Sequence, residues 1–134
     1  MAAVPAIDVV REYWRLMATN DFDAVAAVLA PEFVLEWPLS NERIRGADRF
    51  ARMNHEYVAH GRWQFTIVRL FGDANDAVSE VDITDGVQRA KAVSFFTCKN
   101  RRIERLVEFW PEPYPPRADR AHLVEPTEPR EREP

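Results

Sequence analysis

One cysteine, four glycines and three histidines in 134 residues leave little from which to build several common kinds of site. The single thiol, Cys98, excludes an internal disulfide and a multi-cysteine zinc site. It suits a reducing compartment, so the sequence predicts a cytoplasmic protein. Four glycines with no clustered motif exclude a glycine-rich phosphate loop. No His/Asp/Glu set has the spacing of metal ligands, and the expectation is that neither a metal nor another cofactor takes part. Apolar runs are short. None reaches the roughly 18 residues of a spanning helix, and the N-terminus lacks the basic region and apolar stretch of a signal peptide, so no membrane partner is expected. Basic clusters are equally scarce. With 18 Lys+Arg against 22 Asp+Glu the net charge is −4, and the densest group is Lys99, Arg101, Arg102 and Arg105, which argues against nucleic acid as a partner.

What is present suits one globular domain: 46% of the residues are hydrophobic and 30% charged. A chain of this length buries about two thirds of its unfolded surface without help from disulfides or metal. The body is expected over residues 1–110. Seven of the ten prolines fall in residues 111–134, together with Glu128, Arg130, Glu131, Arg132 and Glu133, which marks a Pro-rich acidic tail. Residues 118–124 could add one helical turn against the body, with Tyr114, Leu123 and Val124 as apolar anchors, and the last ten residues are predicted to be disordered.

Within the body the hydrophobic period changes from helical to strand-like. Ile7, Val10, Trp14 and Met17 form one stripe of a helix over residues 6–18, and Val9, Tyr13 and Leu16 form a second. Asp21 stands as an N-cap before Phe22, Val25, Val28 and Leu29, so a short second helix follows, stopped by Pro31. Phe33 to Trp37 reads as a strand. Gly46 and Asp48 open a third helix that Gly61 ends, with His60 at its C-terminus. Four strand-like runs follow, over residues 63–71, 77–84, 87–98 and 102–110. The predicted architecture is α+β, a cone-shaped barrel in which three N-terminal helices pack inside a curved antiparallel sheet.

This order resembles the nuclear transport factor 2-like superfamily, and its SnoaL-like branch in particular. The resemblance is carried by Val9-Val10-Arg11-Glu12-Tyr13, Asn20-Asp21-Phe22-Asp23-Ala24, the run Phe33 to Leu39, Arg45-Gly46, and Arg102 to Trp110. It implies the fold, and relatives that include ketosteroid isomerase, polyketide cyclases, limonene epoxide hydrolase, dehydratases and silent binding proteins. By resemblance to ketosteroid isomerase, Tyr13 takes the place of the tyrosine that donates to the developing enolate. Trp37 takes that of the aspartate base, and Ser94 or Val93 that of the protonated aspartate. By resemblance to the epoxide hydrolase, Asp82, Glu80 and Glu108 take the Asp-Arg-Asp positions, and Val34 and Glu36 those of the water-holding pair.

Four residues are therefore candidates for catalysis: Tyr13, Glu36, Asp82 and Glu108. Asp82 shares a strand face with Glu80 and Thr84, which reads as a solvated face unless that face lines the cone. Glu108 keeps company with Leu106 and Trp110. Glu36 and Trp37 must point to opposite sides of their strand, and the hydrolase register turns Glu36 inward, where burial would raise its pKa toward a useful range. Trp14, Trp37, His55, Tyr57, Phe96 and Trp110 are the expected substrate-binding residues, giving an aromatic pocket for a small hydrophobic molecule.

Two function classes are open. One is an enzyme that uses a carboxylate as acid or base, with Tyr13 steadying an oxygen that gains charge, as in isomerisation, cyclisation, dehydration or epoxide opening. The other is a non-catalytic binding or dimeric interaction module of the same fold. A homodimer through the outer sheet face is expected, since Val87, Val93 and Phe95 alternate with a face that packs on the helices.

Overall fold

The computed structural model describes residues 4–128. Helix α1 spans Ala6–Ala18, and its buried residues Ala6, Val9, Val10, Tyr13, Trp14 and Met17 form one broad face in place of two separate stripes. Ile7 and Leu16 lie at its edges, half-buried. Its first N–H donates to the carbonyls of Asp73 and Ala74, which seats the helix start on a turn of the sheet.

The second helix differs from expectation. Phe22–Val28 is a 3₁₀ helix, and its buried residues Phe22, Val25 and Val28 recur every three residues, the spacing that places side chains directly above one another in that geometry. Seven residues are also too few for a self-supporting α-helix. Strand β1 follows at once and is longer than predicted, Leu29–Trp37. Pro31 is tolerated because it falls where the ladder to the neighbouring strand is interrupted, between Leu29 and Val34. A short strand β2, Glu42–Arg45, folds back on β1 and was not expected. Helix α2 spans Ala47–Glu56 and stops before Gly61, because Tyr57 is already extended. His60 is thus no helix cap, and its N–H donates to Asp85 instead.

Strands β3 (Gln64–Gly72), β4 (Asp76–Thr84), β5 (Arg89–Lys99) and β6 (Arg102–Phe109) form the expected meander. The sheet has six strands in the order β2-β1-β6-β5-β4-β3. It is not wholly antiparallel: β6 slots between β1 and β5 and runs parallel to β1. Hydrophobic pattern is blind to which strands pair, which is why this junction was not foreseen. Its register sets Leu35 against Leu106 and Glu36 against Val107.

The sheet is curved and unclosed, and the helices fill its concave side. Phe33 and Leu35 of β1, Ala77, Ser79, Val81 and Ile83 of β4, Ala92, Ser94 and Phe96 of β5 and Leu106 and Glu108 of β6 are buried on that inner face. Tyr13 is at the centre, its ring 4.9 Å from Trp14, 5.3 Å from Phe96 and 6.1 Å from Phe50. No helix among the described residues is long and apolar enough to cross a membrane.

After β6 the chain is exposed as far as it is described, with one short 3₁₀ turn at Ala118–Arg120. Tyr114, Leu123 and Val124 are exposed too, so the expected anchoring of the tail by these side chains is not what the structure has. Residues 129–134, within the segment predicted to be disordered, lie outside the described residues.

Candidate active site

A cavity of about 1210 Å³ opens between the helices and the inner face of the sheet. Tyr13, Trp14 and Phe50 from the helices and Trp37, Phe65 and Glu108 from the strands contribute to its wall. Met17, Met53 and Trp63 continue the apolar lining. Glu108 is the inner-face carboxylate of this wall. It is only 6% exposed, and each of its oxygens has a donor: Trp37 Nε1 to Oε1 at 3.2 Å and Ser94 Oγ to Oε2 at 3.0 Å.

The contact follows from topology. Glu36 pairs with Val107 in the parallel ladder, so the next residues, Trp37 and Glu108, are neighbours on the inner face. Ser94 and Glu108 are direct partners across β5 and β6. Burial pushes the pKa of Glu108 up, and hydrogen bonds from Trp37, Ser94 and Trp110 counter that only in part. For Tyr13, burial likewise raises the phenol well above its ordinary value, and the charge of Glu108 adds to the effect. No enclosed side-chain oxygen or nitrogen lacks a hydrogen-bond partner among the described residues. Tyr13 lines the same cavity as Glu108.

Of the four predicted catalytic residues, the structure brings together Tyr13 and Glu108. Glu36 is on the outer face, held by Arg43 and Arg105, and the hydrogen bond from Arg43 and then that from Arg105 lower its pKa. The expected inward turn of Glu36 is thus reversed: Trp37 points in, on the same side as Phe33 and Leu35. Asp82 borders the cavity mouth, but its carboxylate is ion-paired with Lys91 at 2.7 Å and largely exposed. Lys91 also holds Glu80. The buried residues of β4 are its small and apolar ones, so the charged set Glu80 and Asp82 forms the solvated face.

Of the expected binding residues, Trp14, Trp37, Tyr57 and Trp110 line the cavity. Phe96 does not. It is fully buried behind Tyr13 and supports that ring. His55 is also away from the cavity wall, its Nε2 3.4 Å from Asp23 and its ring against Phe22. Ser94, which the isomerase resemblance set at the place of the protonated aspartate, donates to Glu108. Ser79 was overlooked as a partner of the site: it accepts the Trp14 indole N–H at 3.1 Å, and its sequence signal is a lone hydroxyl within an apolar alternation.

Three segments frame the mouth. Tyr57 and Trp63 meet edge to face at 5.9 Å on the connection from α2 to β3. Asn20 clamps that connection by accepting the Trp63 N–H and donating to the Trp63 carbonyl. Asp85 holds the opposite hairpin, accepting from the backbone of His60, Val87 and Gln88 and from the Gln88 amide. On the other side Pro111, Glu112 and Pro113 border the opening.

The sequence matches the SnoaL-like domain model over residues 10–106. No functionally curated protein sequence matches it. Among solved structures, a ketosteroid isomerase-like protein from Kribbella flavida is 35% identical with a TM-score of 0.81, over 90% of this chain and 88% of that one. An NTF2-like protein of unknown function from Burkholderia xenovorans is 21% identical with a TM-score of 0.73, over 90% and 94% of the two chains. An epoxide hydrolase from M. tuberculosis is 24% identical with a TM-score of 0.64, over 79% and 82%. The last two show likeness of fold alone. By the extent of the family match and the identity to the Kribbella protein, the chain belongs to the SnoaL-like domain family of the NTF2-like superfamily.

Proposed function

We propose that the protein is an enzyme that moves a proton on a small hydrophobic substrate, with Glu108 as the acid/base and Tyr13 as the donor to the oxygen that gains charge. The observation that carries this reading is a buried carboxyl group, held by Trp37 and Ser94, in the wall of an apolar cavity that Tyr13 also lines. A carboxylate with a pKa nearer neutrality is a more effective base at physiological pH, and water exclusion strengthens its action.

Position 37, where the ketosteroid isomerase resemblance calls for an acid, holds a tryptophan, and the carboxylate comes from the parallel neighbour strand. In the step this supports, Glu108 takes a proton from a carbon next to a carbonyl. The C–H electron pair moves toward the carbonyl oxygen, Tyr13 donates to that oxygen, and Glu108 returns the proton to another carbon. An isomerase or cyclase type of reaction needs only this pair. Two-carboxylate epoxide opening fits less well, since Glu36 and Asp82 are engaged with basic partners elsewhere.

A hydrophobic cyclic β,γ-unsaturated ketone in deuterated buffer tests this. Exchange or isomerisation by the wild type, reduced at least about 100-fold in Glu108→Gln and less in Tyr13→Phe, supports the reading. Turnover that survives Glu108→Gln overturns it. Ketone binding of equal affinity in both proteins with no exchange in either supports the binding-module alternative.

For the outer face of the sheet, a homodimer is the associated proposal. Phe95 is 45% exposed there and meets Phe109 edge to face, with the Glu80, Asp82 and Lys91 cluster beside them. Sedimentation at micromolar concentration tests it, and a monomer of about 15.6 kDa throughout would rule it out.

A further inference from the structure

The donors around Glu108 are not equivalent. An indole N–H can only donate, whereas a serine hydroxyl donates or accepts. Oε1 accepts from Trp37 Nε1, and because the unprotonated oxygen of a carboxyl group is the better acceptor, the indole favours a proton on the other oxygen. Oε2 faces Ser94 Oγ, which can reverse.

We propose that Trp37 and Ser94 are positioning residues that confine the transferable proton of Glu108 to Oε2. This rests on the reading of Glu108 as the proton-transfer group. When Glu108 is ionised, Ser94 donates to it. When Glu108 is protonated, Oε2–H donates to Ser94 Oγ, and the serine hydroxyl turns away.

The surroundings leave few other influences on this proton. From α1 the coupled titratable group is Tyr13. β1 supplies Trp37, β5 supplies Ser94 and the end of β6 supplies Trp110, which also donates to the carboxylate, and none of the three ionises in the working range. Ser79, the partner of Ser94 across β4 and β5, is occupied on its oxygen by Trp14 Nε1, so the polar line buried on the inner face of the sheet has an indole at each end. A fixed proton position matters for a reaction that takes a proton from one carbon and returns it to another, since one oxygen then serves both steps.

The test needs no substrate. Carbon-13 NMR of glutamate-labelled protein follows the Glu108 carboxyl, identified by its loss in Glu108→Gln, and nitrogen-15 spectra follow the Trp37 indole. In the wild type the indole resonance is expected to move with the Glu108 titration. Trp37→Phe removes a donor that serves the charged form best, so it is expected to raise the proton affinity of Glu108 by about tenfold, whereas Ser94→Ala removes a partner of both forms and is expected to shift it less. The wild-type indole readout covers the case in which Trp37→Phe does not fold.

A Glu108 titration unchanged in folded Trp37→Phe, or a wild-type indole resonance indifferent to that titration, overturns the proposal. Failure of the underlying reading shows separately, as turnover retained in Glu108→Gln. A merely structural role for either residue would lower stability and leave the titration where it was.

Discussion

The side chain of Asn20 satisfies both backbone polar groups of Trp63, accepting its N–H at 2.8 Å and donating to its carbonyl at 2.9 Å across 43 residues of sequence. One amide thereby does the work of a strand neighbour. It ties the end of α1 to the aromatic pair at the cavity mouth. Asn20 itself adopts a left-handed backbone, φ 63°, which asparagine tolerates better than most residues.

Asn20→Ala is therefore expected to destabilise the fold by about 1 to 3 kcal/mol, from two lost hydrogen bonds and a strained backbone. Asn20→Gly relieves the strain but keeps the loss of the bonds, so it should be the milder change. Urea unfolding of the two variants checks the order.

Glu108→Gln should stabilise the protein as pH rises. The folded pKa of Glu108 is raised, so its favourable contribution is fully present below the unfolded pKa of about 4.3 and is lost as pH climbs through the folded value. The variant should match the wild type near pH 4 and exceed it at pH 8, by about 1.4 kcal/mol for each tenfold rise in proton affinity on folding. Denaturant titrations at the two pH values measure the difference.

Asp85 has the opposite sign. Burial works against its charge, but the N–H groups of His60, Gln88 and Val87 and the Gln88 amide outweigh that and hold the carboxyl far below its usual range. Its stabilisation is present above the unfolded pKa of about 3.9 and fades as pH falls toward the folded value. Asp85→Ala should lower Tm at pH 7 and weaken the acid dependence below pH 4. Gly61→Ala should disturb the same junction, because a Cβ there would come within 2.7 Å of the Asp85 carbonyl oxygen.

Glu36→Gln should leave ketone exchange unaltered and change stability by about 1 kcal/mol or less, as its two arginines are more than half exposed. Loss of exchange in this variant would return Glu36 to the catalytic machinery. Removal of residues 114–134 should likewise leave Tm within a degree or two, because the described tail side chains beyond Pro113 are exposed.

The elements of the body were legible because their periods are strong. Ala6–Ala18 carries a wide apolar face, and β4 and β5 alternate cleanly. The orientation of Trp37 was legible too, since Phe33, Leu35 and Trp37 form the apolar alternate set of β1, but the hydrolase register was given more weight than that pattern. The Trp37–Glu108 contact was not legible, because it depends on a parallel pairing of strands 71 residues apart, and no local pattern encodes a partner strand.

Insertion of β6 between β1 and β5 also bears on synthesis at the ribosome. Until β6 has left the exit tunnel, β1 and β5 present unpaired edges and the inner wall lacks Leu106 and Glu108. Such edges invite pairing with other chains. The long loop that joins β1 to β6 must also close against its entropy cost before the contact between them gives any return. The nascent protein can thus complete its helices and most of its meander early, while its acid/base group arrives with the final strand. Chemistry and the joining of the two parts of the sheet are acquired in a single late event, and a chain stalled before Arg102 has neither.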